Sequence, residues 1–111
     1  MQVEFLWFDG CPNHETARRI LSETMEELGL GVAVEVIQVE SNETAEVHRF
    51  QGSPSIRIDG VDVDPIPVTE MPYGMACRVY LTPDGPQGWP AKETIRAALV
   101  AAQSEAARQS G

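Results

Sequence analysis

The chain is poor in cysteine, in basic residues and in long apolar runs. It has two cysteines among its 111 residues, and they form neither a CxxC motif nor a cluster with histidine. Two cysteines are too few for a disulfide-stapled scaffold, and a structural zinc site is not expected without such a cluster. In a reducing compartment both cysteines would be thiols, open to chemistry rather than to structural cross-linking.

Positive charge is equally scarce. Eight Lys and Arg residues stand against 17 Asp and Glu, which gives a formal net charge of −9. Nucleic-acid binding relies on clustered basic residues, so no nucleic-acid partner is expected. No apolar run approaches the ~20 residues of a membrane helix, and no membrane partner is expected. The first residues lack the basic and apolar regions of a secretory signal, which predicts a cytoplasmic protein.

Length and composition predict one domain. With 42% hydrophobic residues, the chain can build a single core. We expect this domain to cover residues 1–103 and a polar tail, which frays, to cover residues 104–111. The sequence leaves the oligomeric state open.

Apolar residues in the first half of the chain alternate between strand-like and helical spacing. The predicted elements are strand 3–8, helix 12–28, strand 32–39 and helix 43–50. The second strand is nearly continuous in apolar character, which predicts a central strand buried on both faces. The first helix should end at Gly29-Leu30-Gly31, where a glycine is placed for a left-handed cap, and Ser41 or Asn42 could be the N-cap of the second helix.

Short strands and turns dominate the second half until a final helix. The predicted elements are strand 55–58, the turn Asp59-Gly60, a returning strand 61–63, an irregular loop 64–73, strand 77–81, a turn over 82–88 and a helix from Pro90. This order predicts an α/β fold whose central mixed sheet is flanked by helices. The first two strands should be parallel neighbours, and an extra strand and loop precede the last helix.

Cys11 is the most informative residue, because it lies where the first strand gives way to the first helix. Pro12 suits a first helical position. The free N–H groups and the macrodipole of a helix N-terminus favour an anion, here the thiolate, which is a nucleophile and a soft-metal ligand. The alternative is a small buried hydrophobic residue, a common fate of free cysteine. We expect a reactive sulfur that is ionised and reachable by solvent.

Two neighbours of Cys11 could exchange protons with it. His14 lies one turn along, on the same helix face. As imidazolium it would stabilise the thiolate, and as a neutral base it could accept the thiol proton. The alternative is a solvated surface histidine. Asp9 could serve as a proton donor or acceptor, although a turn residue at a strand end is the more common role.

The residues Gly10-Cys11-Pro12-Asn13-His14 after the first strand, with Ser53-Pro54 before the third, resemble the thioredoxin-like superfamily. The resemblance implies a thioredoxin-like fold in which the reactive cysteine, Cys11, opens the first helix. It also implies that Pro54 is a cis-proline lying against that cysteine. Small thioredoxin-like proteins with a Gly-Cys-Pro motif, a group without a settled activity, resemble the chain over its whole length.

This resemblance covers residues 2–63 and 90–102, and the run 52–60 is particularly similar to glutaredoxin-type sequences. The chain departs from the superfamily at His14, which replaces the usual second cysteine. A disulfide within the motif therefore cannot form. Any disulfide must join Cys11 to Cys77, to another protein or to a small thiol such as glutathione. Glutaredoxin-like topology implies that Cys77 lies beside Cys11; the alternative is a strand cysteine buried in the core.

A shorter resemblance concerns the second cysteine. The run Ala76-Cys77-Arg78-Val79-Tyr80-Leu81, followed by Gly88-Trp89, is similar to the segment around the second mercury-binding cysteine of organomercurial (alkylmercury) lyases. It implies that Cys11 and Cys77 bind mercury or another soft metal. Those enzymes have an aspartate three residues after the first cysteine, where this chain has His14, so His14 or Asp9 would supply the proton.

Three functions are therefore compatible with the sequence. The first is a thiol-disulfide oxidoreductase, in which Cys11 attacks and Cys77 or an external thiol resolves. It needs no cofactor, and its partner is a small thiol or disulfide, or a protein. The second is mercury or soft-metal binding, or organomercurial cleavage, by Cys11 and Cys77. The third is a non-catalytic interaction module that keeps the fold. We expect the first.

Overall fold

The computed structural model describes residues 1–110, with side chains through residue 108. Within that part, the elements in chain order are β1 (Val3–Trp7), α1 (His14–Glu27), β2 (Val34–Gln38), α2 (Asn42–Val47), β3 (Ser55–Ile58), β4 (Val61–Asp62), β5 (Tyr80–Thr82), β6 (Gly85–Gln87) and α3 (Lys92–Ser110). This order confirms the predicted α/β alternation through the β3–β4 hairpin.

Strands β1 to β4 form one mixed sheet in the order β2-β1-β3-β4. β1 and β2 are parallel, as the strand–helix–strand pattern predicts. β3 lies antiparallel on the other side of β1, and β4 returns antiparallel to β3. Asp59 and Gly60 connect β3 to β4 with φ angles of 52° and 81°. Two successive positive φ values are what a two-residue hairpin turn requires, so the predicted turn is confirmed.

Helices cover both faces of this sheet, as expected. On one face, α1 and α3 pack against β1 and β3 around a core of nine buried residues: Val3, Phe5, Ala17, Leu21, Met25, Ile56, Ile58, Ile95 and Leu99. On the other face, α2 packs through Ala45 against a smaller cluster of Leu6, Val39 and Phe50. Neighbouring side chains of a strand point to opposite faces, so Phe5 and Leu6 serve different cores.

Both predicted helix caps are present. Gly29 adopts φ 68° at the end of α1 and donates its N–H to the Glu26 carbonyl, while Leu30 donates to the Met25 carbonyl at 2.9 Å. This pair of bonds is the Schellman motif, which glycine favours because it has no Cβ. At the start of α2, the Ser41 hydroxyl accepts from the Thr44 N–H at 3.1 Å, so Ser41 is the N-cap.

The prediction that the second strand is central and buried on both faces is wrong. β2 lies at the edge of the sheet, with β1 as its one neighbour, and Val36 is 39% exposed. β3 pairs with the other side of β1 and so takes the central place. A β-branched run indicates a strand, but its position depends on long-range pairing.

The segment after the β3–β4 hairpin also differs from expectation. The predicted strand 77–81 is ordered as a strand only from Tyr80, because Cys77 forms a single isolated bridge to Ser53. The predicted turn over 82–88 contains β6, which pairs antiparallel with β5 in a separate two-stranded sheet. Only a short turn at Pro83-Asp84 connects them. The many turn residues here shorten the strands without preventing the hairpin.

The C-terminal helix is longer than predicted. α3 runs from Lys92, two residues after Pro90, to Ser110. The segment from residue 104, for which we expected a fraying polar tail, is helical up to Ser110, and residue 111 lies outside the described residues. Its alanines favour helix even without burial. In the described part of the chain, no helix has the length and apolar character that crossing a bilayer requires.

Two leucines test which core holds the fold. Leu21 is fully buried between α1 and the sheet, whereas Leu81 is 82% exposed. We expect Leu21→Ala to lower the free energy of unfolding by about 2–5 kcal/mol, since it leaves a cavity. Leu81→Ala, the same chemical change on the surface, should alter it by less than about 0.5 kcal/mol. Urea unfolding followed by circular dichroism checks both, and equal losses would contradict this packing.

Candidate functional site

Cys11 lies in the turn between β1 and α1, and its side chain is fully buried. Its N–H donates to the Phe8 carbonyl at 3.3 Å, and its sulfur donates to the Ser53 carbonyl at 3.4 Å. α1 begins at His14, two residues later than the predicted start at residue 12, and Asn13 is its N-cap, so Cys11 lies two residues before the N-cap. The expectation of a solvent-reachable sulfur at the helix cap is therefore wrong, although the sulfur contacts a polar group and not hydrocarbon alone.

Ser53 and Pro54 lie against this turn. The bond between them is cis, as the resemblance implies. Ser53 is buried, and its hydroxyl accepts from the Phe8 N–H at 3.2 Å, which ties the end of β1 to the segment before β3. Together with the bond from the Cys11 sulfur, this contact fixes the cysteine next to the cis-proline segment.

Cys77 reaches the same place from a distant part of the chain. The Ser53 N–H donates to the Ala76 carbonyl at 2.8 Å, and the Ser53 carbonyl accepts from the Arg78 N–H at 3.0 Å. These two bonds form a parallel bridge that puts Cys77 opposite Ser53. Both cysteines are free thiols; Cys77 is exposed, and Cys11 is buried. The expected proximity of the two cysteines is confirmed, whereas burial of Cys77 in the core is excluded.

The side chain of Cys11 affects the protonation of Cys77. The pKa of Cys77 is raised above its ordinary value, first because of its interaction with the Cys11 side chain. Partial burial and the negative charge that Cys11 carries when ionised raise it further. The Cys77 thiol therefore keeps its proton to a higher pH than a free cysteine does.

A glycine permits this close approach. Gly52 has φ 121°, a conformation that side chains of L-residues rarely adopt. A Cβ on it would come within 2.7 Å of the Met71 Cε and 3.2 Å of the Ala76 carbonyl oxygen. The absence of a side chain lets the 76–78 segment lie against Ser53.

A buried arginine anchors the residue next to Cys77. The Arg78 side chain is fully buried and makes a two-pronged ion pair with Asp62, at 2.6 Å and 3.1 Å. It also donates to the Ser55 hydroxyl and to the Asp64 carbonyl. Burial alone would lower the pKa of Arg78, but the hydrogen bonds and charges of Asp62 and its neighbours raise it. Among the described residues, the Arg78 Nε is the buried side-chain polar atom without a partner.

Tyr80 connects this arginine to the cis-proline. The Arg78 guanidinium lies over the Tyr80 ring, 4.5 Å from its centre, and the Tyr80 hydroxyl donates to the Pro54 carbonyl at 2.5 Å. Burial raises the pKa of Tyr80, so the phenol stays protonated and remains a donor. Arg78 and Tyr80 thus fix both sides of the segment that carries Cys77.

His14 and Asp9 lie at the edge of the site. The His14 ring stacks on Trp7, with centroids 4.3 Å apart. Asp9 is exposed, which agrees with a turn residue. Among the described residues, neither side chain has a hydrogen bond to Cys11 or Cys77. The structure therefore brings Cys11, Pro54 and Cys77 together, and it leaves the proton-exchange roles of His14 and Asp9 as predictions.

Sequence reasoning missed Arg78, Asp62 and Tyr80. Residues 77–81 alternate between exposed and buried, but the apolar residue is the exposed one: Val79 is 64% exposed, while Arg78 and Tyr80 are buried. This alternation is the sequence signal that could have found them. An arginine between apolar residues favours a strand with its charge in solvent. Only the carboxylate of Asp62, supplied by the neighbouring hairpin, makes the opposite orientation stable.

One cavity of this protein is separate from the thiols. It has a volume of about 410 Å³ and lies between the β5–β6 hairpin and the start of α3, lined by residues that include Trp89 and Lys92 but no cysteine. In the described chain, no group of three or more His, Cys, Asp or Glu residues could hold a metal ion. The two sulfurs alone could hold a soft cation that accepts two ligands.

The Gly52 contact predicts a sharp difference between two glycine substitutions. Gly52→Ala should lower the free energy of unfolding by about 1–3 kcal/mol, because it forces a strained φ and a clash. Gly31→Ala meets nothing within 4 Å and should change it by less than about 0.5 kcal/mol. Chemical denaturation of both variants measures this, and comparable stabilities would show that the 76–78 segment can move aside.

The Arg78 ion pair makes Asp62 important for stability. Asp62→Asn removes the charge that compensates a buried guanidinium, and we expect a loss of about 3–5 kcal/mol. The matched variant Asp84→Asn changes an exposed carboxylate in the β5–β6 turn and should cost less than about 0.5 kcal/mol. Thermal and urea unfolding compare the two. A small loss in Asp62→Asn would mean that solvent reaches Arg78.

Comparison of the chain with protein-family models, curated proteins and solved structures found no match. The chemistry of the site therefore follows from its own groups. Two neighbouring thiols can lose two protons and two electrons to form a disulfide, or they can bind one soft cation between them.

Proposed function

We propose that the protein is a thioredoxin-like thiol-disulfide oxidoreductase whose redox centre is the pair Cys11 and Cys77. The observation that carries this proposal is that both cysteines meet at Ser53, beside the cis bond of Pro54. The Cys11 sulfur donates to the Ser53 carbonyl, and Cys77 pairs with Ser53 in a backbone bridge. In the proposed reaction, a substrate disulfide accepts two electrons and two protons and leaves as two thiols. The protein is left with a Cys11–Cys77 disulfide, which an external thiol reduces again.

The architecture supports the thioredoxin-like part of the proposal. A mixed four-stranded sheet lies between α1 and α3 on one face and α2 on the other, with Cys11 just ahead of α1. The cis-proline segment lies directly before β3 and contacts the Cys11 sulfur through Ser53. This arrangement agrees with what the sequence resemblance implies for Cys11 and Pro54.

The second sulfur replaces what the CxxC motif lacks. His14 stands at the position where a second motif cysteine would be, and Cys77 comes to Cys11 through the Ser53 bridge. A disulfide needs Cα atoms within roughly 7 Å and side chains that face each other. The Ser53 bridge, which puts Cys77 opposite the residue whose carbonyl the Cys11 sulfur contacts, supports such an approach. A mixed disulfide on one of these sulfurs can therefore be resolved by the other sulfur. The partner is a small disulfide or a protein disulfide.

Soft-metal binding is the second candidate, because two adjacent sulfurs also suit a cation such as Hg²⁺. Here mercury would be the cargo or the substrate of the protein. Organomercurial cleavage needs in addition a proton donor at the carbon, for which His14 and Asp9 are the candidates. Neither has a hydrogen bond to a sulfur in the described chain, so the thiol pair supports redox chemistry and simple binding more directly.

Mild oxidation tests the redox proposal. In a buffer of oxidised and reduced glutathione, we expect the protein to form a Cys11–Cys77 disulfide, detected by peptide mapping under non-reducing conditions. Excess reduced thiol should restore both free thiols, because the exchange is reversible. Cys11→Ser and Cys77→Ser serve as controls, since neither can form the internal bond.

Other results of the same experiment would contradict the redox proposal. If both thiols stay free, or carry only separate glutathione adducts, the redox proposal is wrong. Thiols that stay reduced in this buffer but take up one Hg²⁺ per chain would favour the soft-metal candidate. Thiols inert to both reagents would leave a non-catalytic module.

A further inference from the structure

We infer that Cys77, the exposed cysteine, is the sulfur that attacks the substrate, and that buried Cys11 reacts second. This inference rests on the proposed redox function and specifies the order of its steps. It reverses the order that the sequence predicts, in which Cys11 attacks and Cys77 resolves.

Accessibility decides the order. Thiol-disulfide exchange requires the attacking sulfur to reach a disulfide sulfur directly, so it depends on access as well as on ionisation. The side chain of Cys11 is fully buried, and its sulfur is engaged by the Ser53 carbonyl. Cys77 is exposed and lies opposite Ser53 in the backbone bridge. A disulfide arriving from solvent therefore meets Cys77 first.

The 76–78 segment, which carries Cys77, is held by several contacts. Both backbone groups of Ser53 are used by residues 76 and 78, so the segment is paired on each side of Cys77. The ion pair of Arg78 and the hydroxyl of Tyr80 hold it further. Reaction at Cys11 requires a local opening that exposes its buried sulfur, whereas Cys77 is exposed while these contacts stay in place.

The outer face of this segment is what a substrate contacts. Exposed and buried residues alternate from Cys77 onward, so Cys77, Val79 and Leu81 share the solvent side. An extended peptide cannot pair with the Ser53 backbone while Ala76 and Arg78 occupy it. The substrate class is thus a disulfide that presents its sulfur without a backbone ladder, such as a small or flexible disulfide.

The proposed reaction consists of two thiol-disulfide exchange steps. First, the Cys77 thiolate attacks one sulfur of the substrate disulfide; a mixed disulfide forms on Cys77, and the other half leaves as a thiol. Second, Cys11 loses its proton and attacks the Cys77 sulfur, so the Cys11–Cys77 bond forms and the second half leaves as a thiol. A low-molecular-weight thiol then reduces the internal disulfide. Because the pKa of Cys77 is raised, little of this thiol is ionised at neutral pH, and the first step becomes faster as the pH rises.

Single-cysteine variants test the order. Cys11→Ser keeps only Cys77, and Cys77→Ser keeps only Cys11. Each is treated with bis(2-hydroxyethyl) disulfide, a neutral probe that the net charge of −9 does not repel. Intact-mass spectrometry follows the mixed disulfide over time. We expect Cys11→Ser to form it faster by about tenfold or more, because the sulfur of Cys11 reacts only after a local opening.

Urea provides the matched control. In denaturing urea the two variants should react at similar rates, since burial no longer separates the sulfurs. Circular dichroism verifies that each variant is folded in buffer, and Cys11→Ala is the second variant in case a buried serine hydroxyl disturbs the fold.

The outcomes separate the inference from the proposed function. Equal rates in the folded variants, or faster labelling of Cys11, would overturn the order and leave the redox function standing. Labelling of neither sulfur in folded protein, with both labelled in urea, would overturn the redox function itself.

Discussion

The backbone of Ser53 is the constraint on which the site depends. Its carbonyl accepts from the sulfur of Cys11 and from the N–H of Arg78, and its N–H donates to the carbonyl of Ala76. The backbone of one residue therefore joins a turn after β1, the cis-proline segment and the loop before β5. Buried backbone groups must be hydrogen-bonded, so satisfying Ser53 is also what brings the two sulfurs together.

A buried charge makes that junction rigid. In a protein with a net charge of −9, Arg78 is enclosed completely and is neutralised by Asp62. A buried ion pair adds little net stability compared with apolar packing, yet breaking it is costly, which restricts the alternatives open to the chain. Tyr80 extends the same constraint to Pro54. Inward-facing Arg78 and Tyr80 turn the intervening and flanking residues, including Cys77, toward solvent.

Much of the secondary structure could be predicted, because it follows from local patterns. Apolar spacing located α1, Gly29 ended it, and Asp59-Gly60 marked the hairpin turn. The edge position of β2 could not be predicted, since it depends on which strand pairs with the far side of β1. α1 starts two residues later than the sequence predicts, because Pro12 fits a turn as well as a first helical turn.

The sequence by itself determined that a cysteine follows the first strand, that a proline precedes the third, and that no CxxC motif exists. Tertiary structure alone decided that Cys11 is buried, that Cys77 lies exposed opposite Ser53, and that Arg78 faces inward. The physical reason is the separation along the chain over which each interaction acts. Propensities, caps and turns act over a few residues, whereas burial and charge pairing depend on groups far apart in the chain, such as Asp62 and Arg78, that meet only when the sheet is assembled.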